Sequence, residues 1–195
     1  MNEFLIVSFY TPNYRRYAKK LEASIIKVNS TRDERLPALK YEIHKIPPRS
    51  WEVATALKAR FIFNRLMVQS RDVVWIDADA ILHKYPSLFL DIQCDFAAHL
   101  RTWRHIKNEL LSGTLYFKNT ARVHSLVRQW MNRCKNQPNE WDQIHLRTAL
   151  DLNDTVFFER LPIEYCTIFD DQNRKKINPV IEHFQASRKV RRGEL

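Results

Sequence analysis

An apolar run of four residues ends in two aspartates that stand one residue apart. The run is Val73-Val74-Trp75-Ile76, and Asp77 and Asp79 follow it. An unbroken run of β-branched and aromatic residues is typical of a strand buried between layers of helices. In such sheets, ligands bind beyond the carboxyl ends of the strands. The sequence therefore predicts two carboxylates at the mouth of a site, where oxygen ligands favour Mg²⁺ or Mn²⁺.

The size and charge of the chain limit the alternatives. Its 195 residues are enough for one domain with a layered core, which we place at 1–195. No apolar run reaches the length of a membrane span and no signal peptide is evident, so we expect a soluble cytoplasmic protein. The net charge of +10 indicates an anionic partner: nucleic acid, a nucleotide or an anionic membrane face.

Two residue types that are rare in this chain exclude some classes of site. Only two glycines occur, so the glycine-rich Rossmann and Walker loops are absent. A bound diphosphate would therefore need a metal and cationic side chains. The three cysteines are odd in number and widely spaced, which indicates buried apolar fillers of a reducing compartment: Cys94, Cys134 and Cys166.

Apolar periodicity predicts strands that alternate with helices before Asp77 and become denser after it. Strands are predicted at 4–10, 39–43, 73–76, 95–99, 110–117, 156–161 and 165–169, with a last apolar piece at 180–184. Helices are predicted at 11–28, 50–70, 120–134 and 138–150. This order favours an α/β fold, with a mixed sheet and helices on both faces.

Several polar residues have a structural explanation beside a functional one. Thr11 precedes Pro12 and is predicted to cap the first helix, and Asp142 has the position of a capping acid. Gly113, inside a predicted strand, indicates a bulge or the close approach of a ligand. His183 alone would be a packed or surface histidine. Only the order of these residues along the chain favours a functional explanation for them over a structural one.

That order resembles the glycosyltransferases of the GT-A (Rossmann-like) fold that use nucleotide-sugar donors. Among these, it is similar to the retaining glycogenin-like and bacterial lipooligosaccharide galactosyltransferase-like enzymes. The resemblance covers nearly the whole chain. It implies a nucleotide-binding half at 1–82 and a donor-sugar and acceptor half at 83–195. The matching pieces are Tyr10-Thr11, Lys58, Asp77-Ala78-Asp79, Ser112-Gly113-Thr114, Trp141-Asp142-Gln143, and His183 with the basic residues after it.

The resemblance implies a role for each matching residue. Asp77, Asp79 and His183 would bind Mn²⁺ or Mg²⁺, and Asp77 would also contact the ribose. Asp142 and Gln143 would face the reactive carbon of the sugar, either contacting hydroxyls or acting as a transient nucleophile. It also implies a uridine nucleotide and retention of anomeric configuration. The remaining residues implied in binding nucleotide and donor are Tyr10, Thr11, Lys58, Ser112, Gly113, Arg188 and Lys189.

The acceptor and two other functions stay open at this point. The positive charge favours a polyanionic acceptor such as hydroxylated bases in DNA, as in small phage base-modifying glycosyltransferases, which would act in the host cytoplasm. A haloacid-dehalogenase-like phosphatase also places Asp-x-Asp after an apolar strand, but Ile81 stands where that family usually has a hydroxyl. A basic nucleic-acid-binding module with an inactive fold would explain the charge and leave the aspartates without a purpose. The sequence does not indicate an oligomeric state.

Overall fold

A six-stranded mixed sheet forms the centre of the computed structural model, which describes residues 3–103, 106–138, 140–170, 174–186 and 188. The strands are β1 (Phe4–Tyr10), β2 (Lys40–Lys45), β3 (Asp72–Ile76), β4 (Ala80–Leu82), β5 (Phe96–Trp103), β6 (Ile106–Phe117), β7 (Phe158–Arg160), β8 (Thr167–Ile168) and β9 (Ile181–His183). The helices are α1 (Arg15–Thr31), α2 (Trp51–Val68), α3 (Leu88–Asp91), α4 (Ala121–Asn136) and α5 (Asp142–Asp151).

The main sheet has the strand order β2-β1-β3-β6-β5-β7. Strands β2, β1 and β3 are parallel, so their carboxyl ends meet at one edge. β6 is antiparallel to both β3 and β5, and β7 is parallel to β5. A smaller sheet of order β4-β9-β8 forms beside that edge. The result is the single-domain mixed α/β fold that the sequence predicts.

Alternating side chains of the central strands enter two apolar clusters on opposite faces of the main sheet. Val73 and Trp75 of β3 pack with α2, α4 and α5, whereas Val74 and Ile76 pack with α1 and α3. Each face of the sheet is therefore covered by helices, as expected for a strand that is apolar at every position. This packing fixes β3 and holds its carboxyl end at the surface of the core.

Several predicted elements have different bounds in the structure. The predicted strands at 95–99 and 110–117 extend towards each other as β5 and β6, and α5 begins at Asp142 instead of at 138. The late strands β7 and β8 are shorter than the predicted ranges. β4 was not predicted at all, because a strand of three residues that pairs with a distant segment leaves no periodic signal.

The capping role predicted for Thr11 was wrong. A 3-10 helix at Pro12–Tyr14 precedes α1, and the side chain of Thr11 makes no capping hydrogen bond. Its hydroxyl instead donates to Oδ1 of Asn13 at 2.6 Å. By contrast, Ser50 and Thr120 do cap α2 and α4, because each side chain accepts from a backbone N–H three residues later.

Two sequence-based expectations concern the protein as a whole. The three cysteines are free and buried, as predicted. Among the described residues, no helix combines the length and the apolar character needed to cross a bilayer.

Candidate active site

A cavity of about 310 Å³ opens at the edge where β1 and β3 end. It is bordered by α2, by the middle of β6, by the start of α5 and by the segment after β9. The structure thus brings together side chains that are scattered along the chain. Of the predicted site residues, the cavity is lined by Tyr10, Thr11, Lys58, Asp77, Asp79, Ser112, Gly113, Asp142, Gln143, His183 and Arg188. Lys189 lies outside the described residues.

The two aspartates that follow β3 are held in a tight turn. The backbone N–H of Asp77 donates to the carbonyl of Gly113 at 2.9 Å, and the N–H of Ala80 donates to the carbonyl of Asp77 at 3.0 Å. The backbone N–H of Ala186 donates to Oδ2 of Asp79 at 2.7 Å. The segment after β9 is therefore hydrogen-bonded directly to Asp79.

His183 reaches the aspartates because β9 pairs with β4, which follows them. The imidazole is buried, its Nε2 lies 2.8 Å from Oγ1 of Thr114, and its Nδ1 lies 4.0 Å from Oδ1 of Asp79. Thr114 stood in the matching piece Ser112-Gly113-Thr114, but the sequence analysis assigned it no role. Its place in that piece was an available signal.

Gly113 lies directly beneath the imidazole ring. A Cβ atom at this position would lie 2.9 Å from Cε1 of His183, closer than van der Waals contact allows. Pairing of β6 with β5 also shifts register here, from Ala98–Leu115 to His99–Leu111. The predicted bulge and the predicted close approach are both present, but the approaching group is a protein side chain.

Asp77, Asp79 and His183 form a group that fits a divalent cation. One ligand atom from each residue lies within 4.8 Å of the others. Burial, followed by the charge of Asp77, raises the pKa of Asp79. Burial lowers the pKa of His183 to about 4, so its imidazole is neutral near pH 7. Two carboxylates supply the oxygen ligands that Mn²⁺ and Mg²⁺ prefer, and a neutral imidazole can act as a third metal ligand.

Lys58 forms a second charged group in the wall of the cavity. Its ammonium is buried, 3.1 Å from Oδ1 of Asp77 and 3.2 Å from Oδ2 of Asp142. It also donates to the carbonyl and the hydroxyl of Ser112, each at 3.2 Å. Burial alone lowers the pKa of Lys58, but the charges of Asp142 and Asp77 more than offset this, so the pKa is raised. Lys58 is therefore a cation that neutralises two acids of the site.

Gln143 is positioned by a network that the sequence analysis missed. Its side-chain amide donates to Oε1 of Glu109 at 3.2 Å, and Arg101 donates to Oε2 of Glu109 at 2.8 Å. All three side chains line the cavity. Arg101 and Glu109 are cross-strand partners in β5 and β6. Only the register of that pairing would have identified them, because their separation in sequence matches no motif.

Arg188 and Asp142 also belong to the charged lining. Arg188 lines the cavity and forms an ion pair with Asp170. Asp142 is the first residue of α5, and Trp141 occupies the N-cap without a capping side-chain bond. The carboxylate of Asp142 points to Lys58 and does not cap its own helix.

Solved structures of similar architecture are glycosyltransferases. A glycosyltransferase involved in the glycosylation of the major capsid of PBCV-1 has a TM-score of 0.74, with 12% identity over 98% of this chain and 97% of that chain. GlyE of Streptococcus pneumoniae has a TM-score of 0.64, with 15% identity over 94% of this chain and 54% of that one. The galactosyltransferase LgtC has a TM-score of 0.56, with 11% identity over 93% and 87% of the two chains. The fold is therefore that of GT-A-like glycosyltransferases.

The family model of nucleotide-diphospho-sugar transferases matches residues 47–184. This range contains Lys58, Asp77, Asp79, Asp142 and His183. The chain belongs to the nucleotide-diphospho-sugar transferase family, and it is an enzyme of the glycosyltransferase class. No match was found among curated protein sequences. The family assignment confirms the predicted resemblance and sets aside the phosphatase and the inactive nucleic-acid-binding module.

Proposed function

We propose that this enzyme transfers a sugar from a UDP-sugar to an acceptor hydroxyl, with Mn²⁺ or Mg²⁺ and with retention of anomeric configuration. One observation carries the proposal: Asp77, Asp79 and His183 converge within 4.8 Å at the wall of a cavity that also contains Lys58 and Asp142. A divalent cation bound by these three residues would balance the negative charge that develops on the departing diphosphate.

The protein's own groups orient two of the three proposed ligands, His183 and Asp79. Gly113 leaves room for the imidazole of His183, and Thr114 engages its Nε2, so that Nδ1 is the nitrogen on the side of Asp79. The backbone of Ala186 holds one oxygen of Asp79. Such contacts fix ligand orientation before binding, which raises the affinity for a metal.

We assign nucleotide binding to residues 1–82, with Tyr10 and Thr11 at the end of β1, and sugar and acceptor binding to residues 83–195. Arg188 lines the same cavity and supplies positive charge for the diphosphate, and we extend this role to Lys189. Ser112 and Gly113 form the floor beside the donor.

Asp142 and Gln143 are assigned to the donor sugar. Lys58 lies 3.2 Å from Oδ2 of Asp142, and this positive charge weakens the carboxylate as a nucleophile. Gln143 is held by Glu109. This pairing favours contacts with sugar hydroxyls over covalent attack by Asp142. The anomeric configuration of the product, read by proton NMR, tests retention.

For the acceptor we propose hydroxylated bases in DNA, and for the enzyme a cytoplasmic location. The net charge of +10 supports a polyanionic acceptor. A base in a duplex is enclosed by stacking and must be extruded before its hydroxyl can enter a cavity.

Donor hydrolysis tests the metal-dependent reaction without an acceptor. UDP release from UDP-glucose and UDP-galactose is measured with Mn²⁺, with Mg²⁺ and with chelator. We expect activity only with a metal, and a loss of about 100-fold or more in Asp79→Ala, because a direct ligand is removed. Asp91→Ala, at an exposed position of α3, is the matched control and should retain activity. Undiminished activity of Asp79→Ala in chelator would overturn the proposal.

A thermal-shift panel tests the nucleotide. Nucleoside diphosphates and their sugars are added with and without Mn²⁺, because ligands that bind the native state raise the unfolding midpoint. We expect the uridine compounds to give the largest shift, and only with the metal. A larger shift with a guanosine or adenosine compound contradicts the assignment of the donor.

A further inference from the structure

Helix α1 carries five cations on the side that faces solvent. We name the exposed side chains Arg15, Arg16, Lys19, Lys20 and Lys27 the basic face of α1. Viewed along the helix axis, with 100° between successive residues, these five side chains fall within an arc of about 140°. The opposite side of the helix is apolar and packs into the core, with Ala18, Leu21, Ile25 and Val28 buried. The basic face is therefore a fixed feature of the folded protein.

The charge of the basic face is not neutralised within the described part of the chain. No carboxylate there lies within 4.0 Å of any of its five cations. Glu22 is the only acid in α1. Like charges placed together repel each other, so an external anion would stabilise this face.

The basic face begins at the mouth of the active-site cavity. Asn13 and Tyr14 line the cavity, and Tyr14 is the N-cap residue of α1, directly before Arg15. The guanidinium of Arg16 lies 5.9 Å from the centre of the Tyr17 ring. A polyanion bound along α1 would therefore pass beside the opening through which an acceptor enters.

The geometry of α1 favours DNA over a membrane surface. An amphipathic helix binds a membrane by inserting its apolar side, and the apolar side of α1 is buried in the core. From Arg15 to Lys27 the face is about 18 Å long, at 1.5 Å per residue. At 3.4 Å per base step, this length spans roughly five steps of a duplex.

We propose that the basic face of α1 binds the phosphate backbone of duplex DNA and positions it so that an extruded base reaches the cavity. This inference rests on the proposed function, because it deepens the assignment of DNA as acceptor. The face supplies affinity that does not depend on base sequence, and selection of the base is left to the cavity.

Fluorescence anisotropy of a labelled 20-base-pair duplex tests the proposal with the full chain. The test variant carries Arg15→Gln, Arg16→Gln, Lys19→Gln and Lys20→Gln; glutamine preserves helix propensity. The control carries Lys84→Gln, Lys135→Gln, Lys175→Gln and Lys176→Gln, which removes the same charge from exposed positions elsewhere. We expect the test variant to bind about tenfold or more weakly near 0.1 M salt, and the salt slope to fall by about 3.6 for four lost contacts.

Equal loss of binding in both variants, or absence of duplex binding by the unmodified protein, would overturn the proposal. Binding to vesicles of anionic phospholipid that exceeds binding to the duplex, and that is lost in the test variant, would also overturn it. The Mn²⁺-dependent thermal shift with UDP is measured on the same samples. A normal shift with unaltered duplex binding in the test variant refutes this inference alone, whereas a missing shift in the unmodified protein refutes the proposed function.

Discussion

The two charged groups that line the cavity differ in what neutralises their acids. In the lysine group, Lys58 provides a buried cation for Asp142 and for Asp77, and Asp77 is shared with the histidine group. In the histidine group, the only basic side chain within 4.0 Å of the Asp79 carboxylate among the described residues is His183, whose lowered pKa keeps its imidazole neutral. The lysine group therefore has its counter-charge within the fold, whereas in the histidine group a bound ion would supply it. Substitutions in the first should damage folding, and substitutions in the second should damage metal binding.

The largest effect is expected from Lys58→Met. Removing this cation leaves two carboxylates without their partner, one of them buried, and breaking a buried ion pair costs about 3–5 kcal/mol. Urea unfolding gives the free energy of unfolding. Arg60→Met, at an exposed position of the same helix, is the control and should change it by less than about 0.5 kcal/mol. Similar stabilities of the two variants would show that Lys58 is not needed to neutralise the acids.

Stabilisation by Mn²⁺ should separate the two groups. At a free concentration 100 times its dissociation constant, the ion adds about 2.7 kcal/mol to the free energy of unfolding. We expect this gain in the unmodified protein and in Asp142→Asn, each compared with its own metal-free form, and no gain in Asp79→Ala. A gain that is lost in Asp142→Asn and kept in Asp79→Ala would reverse the assignment of the groups.

The pH dependence of stability should sharpen the difference in the metal-free protein. The pKa of Asp79 is raised in the folded state, so its proton stabilises the fold below the ordinary carboxyl pKa, and this contribution is lost as pH rises through the folded pKa. The Asp79→Asn variant does not lose this stability as pH rises, because its side chain does not titrate. Its stability relative to the unmodified protein should therefore grow from pH 4 upwards, by about 1.4 kcal/mol per unit of pKa shift.

Urea unfolding in chelator between pH 4 and pH 8 measures this difference. The lowered pKa of His183 acts in the opposite direction in both proteins, because the unfolded state binds a proton that the folded state rejects between about pH 4 and pH 6.5. This contribution is present in both proteins, so the difference between them reports mainly the proton of Asp79. A difference between the two proteins that stays constant with pH would contradict the raised pKa of Asp79.

The smallest effect is expected from Gly113→Ala. The added methyl group would lie 2.9 Å from Cε1 of His183 and must displace the ring. We expect Mn²⁺ affinity to fall about tenfold, as for other changes that disturb ligand orientation. Titration calorimetry measures the affinity. In a His183→Ala background the same substitution should have little further effect, and an undiminished effect there would place its cause elsewhere.

The sequence was sufficient to predict features that depend on residues close together in the chain. The apolar run of β3 and the two aspartates after it predicted both a buried strand and its position at the edge where the cavity opens, and the order of motifs named eleven of the residues that line the cavity. It was insufficient where the signal depended on pairing between distant segments. β4 can be recognised only from its pairing with β9. The role of Glu109 can be recognised only from its pairing with Arg101. The network around Lys58 depends on how α2 packs against α5 and β6, which helix periodicity does not encode.

The bond from Ala186 to Asp79 joins residues 107 positions apart. A ribosome making this chain would release the strand with the two aspartates long before it synthesises β9. Until His183 and Ala186 emerge, the nascent polypeptide has only two of the three proposed metal ligands, and Asp79 lacks its hydrogen bond from the backbone of Ala186. The proposed ion site can therefore form only after the main sheet has been synthesised.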